Sequence, residues 1–142
     1  MAFWLMKSEP DEWSWDDQVK AKTASWDGIR NHQAANNMKA MKRGDRAFFY
    51  HTGDEKRIVG VIEVTREYHP DPSDETGRFG MVEVKAVAPV EHPVTLAAIK
   101  AEPKLAQLAL VRQGRLSVMP VDGASWALLC RMAGTEALNR RR

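Results

Sequence analysis

The chain has 142 residues, 44% of them hydrophobic and 28% charged, the composition of one globular domain with a single sizeable core. No stretch approaches the roughly 18 consecutive apolar residues of a membrane span, so a membrane partner is not expected. The net charge of +2 includes Arg140, Arg141 and Arg142, and without them 18 basic residues face 19 acidic ones, which argues against a non-specific binder of nucleic acid and leaves a local site with a modest patch.

Met1 to Lys7 is a short apolar run without a basic leader or a cleavage-site pattern, so residues 2–7 read as a strand and secretion is not expected. Ser8-Glu9-Pro10-Asp11 breaks the strand. Ser14 with Asp17 resembles a capping box that opens a helix to about Ala21. Trp26-Asp27-Gly28 reads as a turn or a short extended piece. A helix follows from about Asn31 to Met41, with Ala34, Ala35, Met38 and Met41 as its apolar stripe and Gly44 as its stop.

Ala47 to His51 and Ile58 to Tyr68 have strand composition around a Thr52-Gly53-Asp54 turn, the best hairpin signal in the chain. His69 to Gly77 is a polar loop with two prolines. Met81 to Val87 is the next strand, its end bracketed by Pro89 and Pro93. Thr95 caps a short helix to Ala101, and Pro103 starts another of about two turns. Arg112 to Val118 is a turn into a strand. Asp122 or Ser125 caps a last helix to Met132, which Gly134 stops. The expected organisation is one domain over residues 1–134 and a basic, disordered tail over residues 135–142. About five or six strands with short helices between them point to an α+β fold, a small and partly closed barrel.

Cys130, the sole cysteine, excludes an internal disulfide and fits a reducing compartment, the cytoplasm or, for a eukaryotic source, the nucleus. His32, His51, His69 and His92 have no zinc spacing, so no metal is expected. Phosphate-loop, dinucleotide and nucleophile-elbow motifs are absent from the sequence, and no cofactor is expected. Lys7-Ser8-Glu9 sets a base, a hydroxyl and an acid at a strand end, either a turn with a surface ion pair or an acid–base group. Trp4 and Trp126 read as core residues. Trp26, among Asp27, Arg30 and the amides Asn31, Gln33, Asn36 and Asn37, is either a core plug or a stacking platform, and composition leaves both open. Arg112, Gln113, Arg115 and Ser117 form a second polar cluster, either a solvated turn or a set of phosphate and base-edge contacts.

Seven stretches together resemble the EVE domain: Trp4-Leu-Met-Lys-Ser-Glu-Pro10, Trp26-Asp-Gly-Ile-Arg-Asn31, Gly44-Asp, Phe49-Tyr-His51, Ile58-Val-Gly60, Pro93-Val-Thr-Leu and Arg112-Gln-x-Arg-Leu-Ser-Val118. The resemblance covers about residues 2–134. It implies a PUA-like mixed β pseudo-barrel with short flanking helices, similar to the YTH domain. It also implies a non-enzymatic reader that holds an extruded modified base, chiefly a modified cytosine in DNA, with modified RNA as the other partner.

By the same resemblance the base pocket comprises Ser8, Glu9, Trp26, Asp27, Asn31 and His51. Lys7, Arg30, Arg112, Gln113, Arg115 and Ser117 would contact the nucleic acid. Trp13 falls where the YTH pattern carries a polar residue that touches the base. His32, Ala35 and Gly114 depart from the Tyr, Arg and Ser common in the family. Two other readings stand beside this one: an ASCH-like amidohydrolase on an acylated nucleoside, using Lys7 and Glu9, and a protein-interaction module. A monomer is expected.

Overall fold

A computed structural model of the chain describes residues 1–135. Six strands, β1 (Phe3–Ser8), β2 (Thr23–Trp26), β3 (Arg46–His51), β4 (Arg57–Pro70), β5 (Gly80–Thr95) and β6 (Val118–Val121), form one mixed sheet in the order β2-β5-β4-β3-β1-β6. The sheet is not closed, since β2 and β6 are its two edges. β1 runs parallel to β3, with Phe3 opposite Arg46 and Ser8 opposite His51, and the other pairs are antiparallel. Among the described residues five short α-helices flank the sheet: α1 (Trp15–Ala21), α2 (His32–Ala40), α3 (Leu96–Ala101), α4 (Ala109–Arg112) and α5 (Gly123–Ala133). The α+β architecture expected from the sequence is the one observed. Among the described residues no helix is long and apolar enough to cross a membrane.

β3 is buried along its whole length, as a central strand must be. Its successive side chains point to opposite faces of the sheet. Phe48 stacks on Trp126 of α5 at 4.1 Å, and Phe3 covers the same indole at 4.5 Å. Phe49, on the other face, meets the edges of Trp15 at 5.4 Å and Trp26 at 5.5 Å. One face therefore carries α5, and the other carries α1 together with the end of β2.

Local signals set the helix ends. Ser14 and Asp17 form the reciprocal capping box of α1. The Asn31 side chain caps α2 by accepting from the Ala34 N–H, and Ala34, Ala35, Met38 and Met41 are buried as the stripe predicts. Asp122, rather than Ser125, caps α5, and Gly134 ends it in the left-handed conformation. Thr135, expected to begin the tail, is buried and donates its N–H to the Cys130 carbonyl. The rest of the expected tail, residues 136–142, lies outside the described residues.

Further boundaries differ from expectation, since β2 begins at Thr23, where the sequence marked only Trp26 to Gly28. β5 runs through Pro89 and Pro93 to Thr95, because the β4–β5 register shifts between Ile58 and Gly60 and between Val61 and Ile62, and prolines without an N–H are tolerated at such irregularities. The two helical turns expected after Pro103 are a single 3₁₀ turn, Pro103–Leu105, and the separate α4. The buried Leu105, Leu108 and Leu110 do not recur at the spacing of one helical face.

Three long-range attachments fix the rest. The buried Asp45 carboxylate accepts from the Ala2 N–H, the Trp4 indole N–H and the Lys42 N–H, each within 3.1 Å, which ties the start of β1 to the turn before β3. Trp15 lies on Gly60, where an added Cβ would stand 2.5 Å from its ring carbons. The loop 71–79 is built around Asp71, whose carboxylate takes hydrogen bonds from the Gly28 N–H at 2.9 Å, Arg30 at 3.3 Å and both the N–H and the hydroxyl of Ser73. Burial pushes the Asp71 carboxyl up, but the Ser73, Gly28 and Arg30 donors outweigh it and bring it down to about 2.

Gly60→Ala is expected to destabilise the fold by about 1–3 kcal/mol, since Trp15 is backed by Phe49 and has little room to retreat. Thermal unfolding measures it, and an unchanged midpoint contradicts the Trp15–Gly60 contact. The depressed Asp71 carboxyl gives a contribution that is complete above its unfolded value, about 4, and is lost as pH falls through about 2. Protection of the Gly28 amide, its exchange rate relative to an unstructured amide at the same pH, should therefore fall over that window, and Asp71→Ala should remove it at neutral pH. A Gly28 amide indifferent to both changes contradicts the clamp.

Candidate nucleic-acid interface

On the face opposite α5, a cavity of about 540 Å3 is lined by three segments. Lys7, Ser8 and Glu9 come from the end of β1, Glu12 and Trp13 from the turn before α1, and Ala24 to Asp27 with Ile29 from β2 and the turn that leaves it. The first two are one folded unit. The Glu9 carbonyl accepts the N–H groups of Glu12 and Trp13, each at 2.9 Å, and the Ser8 hydroxyl donates to the Trp13 carbonyl. Thr52 closes the other side, with its N–H on the Ser8 carbonyl and its hydroxyl 3.3 Å from the Glu9 carboxylate.

Gln18, completely buried, joins this unit to β2. Its carbonyl oxygen accepts the Trp13 indole N–H at 2.9 Å, and its amino group donates to the Lys22 carbonyl at 3.1 Å. Lys22 directly precedes β2 and also accepts the Ala86 N–H. Because the indole N–H is taken by Gln18, Trp13 has only its ring surface left for a ligand. Trp13 is half-buried, whereas Trp26 is 7% exposed and packed edge-on against Phe49. Trp26 is thus both core and cavity border, so neither alternative posed by the sequence is complete. Gly28, at φ +75°, turns the chain away after Asp27 and presents its N–H to Asp71.

The Lys7 ammonium donates to the Gly114 carbonyl at 2.9 Å and lies 5.8 Å from the Tyr50 ring, and burial lowers its proton affinity. The Lys7 N–H donates to the Ser117 carbonyl at 2.8 Å. These bonds dock the turn of residues 113–117 on the cavity rim. Beyond it lies a second cavity of about 260 Å3, bordered by Asn31, Gln33 and residues 113–116.

The residues singled out from the sequence are therefore distributed over several places. Lys7, Ser8, Glu9, Trp26 and Asp27 share the first cavity. Asn31 and His51, expected in the same pocket, stand outside its lining. Asn31 caps α2 and borders the second cavity with Gln113 and Arg115. His51 is buried behind the first, where its Nε2 accepts the Trp15 N–H at 2.9 Å, so its Nδ1 carries the proton that it donates to Glu55 at 2.8 Å. That bond, with help from Arg57, holds the Glu55 carboxyl below its ordinary value.

Arg30 turns to the loop 71–79, bonded to Asp71 and Ser73 and lying over the Phe79 ring at 5.7 Å. Arg112 is exposed at the end of α4, and Ser117 takes part through its carbonyl. Sequence reasoning missed Glu12 as a lining residue and did not place Trp13 in the site. Their signal was their position in the acidic turn directly before the Ser14 cap.

The arrangement can hold a flat group against aromatic surface while offering hydrogen-bond acceptors from Glu9, Glu12 and Asp27 and one cation from Lys7. Among the described residues no three His, Cys, Asp or Glu side chains come together as metal ligands would.

Comparison with known proteins adds the family. The EVE domain model matches residues 2–132. Human thymocyte nuclear protein 1 is 33% identical over 153 residues, covering 83% of this chain and 68% of that protein. Rpa0253 from Rhodopseudomonas palustris superposes with a TM-score of 0.89 at 54% identity, covering 94% of each chain. The human THYN1 protein, solved in complex with 5-methylcytosine containing DNA, gives 0.84 at 29% identity, covering 100% of this chain and 99% of that one. With a family model matched along nearly its whole length and a fold shared throughout, this chain belongs to the EVE domain family.

Proposed function

We propose that this chain is a non-enzymatic reader of a modified cytosine in DNA, and that it holds the extruded base in the cavity bordered by Trp13 and Trp26. The observation that carries the reading is the chemistry of that lining: two indoles, three acidic side chains and one lysine. Acidic side chains repel a phosphate but accept from the exocyclic amino group of cytosine. Aromatic surface stacks any base, at roughly 1–3 kcal/mol for each. A base inside a duplex must be turned out to reach such a site, with an energetic cost of a few kcal/mol. The human THYN1 complex with 5-methylcytosine containing DNA supports the same ligand class for a relative.

Ser8, Glu9, Trp13, Trp26 and Asp27 would meet the base. Lys7, Arg112, Gln113, Arg115 and Ser117 would meet the strand around it. Asn31 borders the neighbouring cavity, Arg30 is held on the loop 71–79, and His51 supports the wall from behind. An amidohydrolase built on Lys7 and Glu9 is less well supported, because the Lys7 ammonium is bonded to the Gly114 carbonyl.

Oligonucleotides carrying 5-methylcytosine, cytosine or thymine at one position test the reading. Thymine shares the methyl group and replaces the amino donor with a carbonyl acceptor, so affinity should rank 5-methylcytosine above both others. Glu9→Gln should narrow the gap to thymine, since a carboxamide both donates and accepts. Trp13→Ala should weaken binding about tenfold or more. Trp26→Ala also removes a core side chain, so Trp26→Phe is the cleaner variant. Equal affinities for the three oligonucleotides at low salt, or acetate release from an acetylated cytidine that Lys7→Ala abolishes, would overturn the proposal.

A further inference from the structure

The second cavity differs from the first in chemistry and adjoins it. Its border carries three carboxamides, Asn31, Gln33 and Gln113, together with the Arg115 guanidinium, and has no acidic side chain. The first cavity has Glu9, Glu12 and Asp27. Two links join them. The Lys7 ammonium, on the border of the first, is 2.9 Å from the Gly114 carbonyl on the border of the second. Ile29 borders the first and Asn31, two residues on, borders the second.

The second cavity is also held open by fixed parts. Asn31 Oδ1 is occupied by the Ala34 N–H, which leaves its amino group as a donor. The Asn37 amino group on α2 donates to the Val118 carbonyl at 2.7 Å, just after the 113–116 turn, so the two sides keep their spacing. Leu116 is buried beneath them. Gln33, Gln113 and Arg115 are exposed, and Arg115 forms no ion pair among the described residues.

We propose that this second cavity is a subsite for the nucleotide next to the one held in the first, with preference for a purine. The proposal rests on the base-reader reading and adds sequence context to it. Phosphate, excluded by the acids of the first cavity, is attracted by Arg115 and Lys7 on the rim between the two. A carboxamide pairs bidentately with the N6/N7 edge of adenine, and a guanidinium with the O6/N7 edge of guanine. Pyrimidines offer neither two-point edge. The base beside one that has been turned out has lost a stacking neighbour, and its N6/N7 or O6/N7 edge, which faces the major groove, is open to side chains whether or not it is paired.

The test is fluorescence anisotropy of the full 142-residue chain with 13-nucleotide probes bearing one 5-methylcytosine. The 5′ and then the 3′ neighbour is A, G, C, T or an abasic residue. On one of the two sides, purines should bind at least about fivefold more tightly than pyrimidines or the abasic residue. Gln33→Ala with Gln113→Ala, both at exposed positions, should bring the adenine probe down to the abasic one on that side, since adenine is the purine that the carboxamides pair. Equal affinities at both flanks, or an adenine advantage that survives the two substitutions, overturn this subsite while preference for 5-methylcytosine over cytosine stands. Loss of that preference, or no binding by any probe, overturns the base-reader reading and the subsite with it.

Discussion

The position of Trp15 governs how the cavity is built. Its ring occupies the space that a side chain at Gly60 would fill, its edge meets Phe49, and its backbone N–H is held by His51. These contacts come from two neighbouring strands and fix the first residue of α1. Everything between β1 and α1, including Glu12 and Trp13, is then a short loop with both ends anchored. Its Glu9–Trp13 turn uses its own backbone bonds, so little conformational freedom is left for ligand binding to remove. The cavity is a product of the sheet's central strand and needs no closing motion to form.

Charge is divided along the surface in the way that reading a turned-out base requires. Glu9, Glu12 and Asp27 line the first cavity together with Lys7, and Arg112 and Arg115 stand outside it. A uniformly basic groove would hold backbone and base alike, and its affinity would carry little information about the base. In the proposed reading the phosphates and the base are drawn to different places. The near-neutral total charge of the chain thus conceals a local separation, which net composition has no means of expressing.

Local chemistry was legible in the sequence and long-range pairing was not. The Ser14–Asp17 box, the start of α2 near Asn31, the α2 stripe and the Gly134 end of α5 are all settled within a few residues, and each was readable, with the α5 cap narrowed to Asp122 or Ser125. His51 and Asn31 were assigned to the pocket by the family resemblance, which carries over a position and not the partner that the side chain finds in this chain. Their partners, Trp15 at 36 residues' separation and the Ala34 N–H with the 113–116 turn, come only from the fold. Trp26 posed a choice between core and site that assumed one side of a ring. A residue at the end of an edge strand has two sides, and the fold uses both. The continuation of β5 through two prolines was hidden for a related reason, since a register shift belongs to a pair of strands and leaves no mark on one of them.

Lys7 holds the 113–117 turn through a carbonyl, and so does the backbone bond to Ser117. Neither attachment depends on which side chains the turn carries. Gly114 is a direct instance: it has no side chain, and its carbonyl still takes the Lys7 ammonium. The turn therefore behaves as an exchangeable fitting on a fixed mount. Its outward residues are open to variation without disturbing the cavity behind them, so members of this fold can diverge in the surroundings they tolerate while keeping the same central chamber.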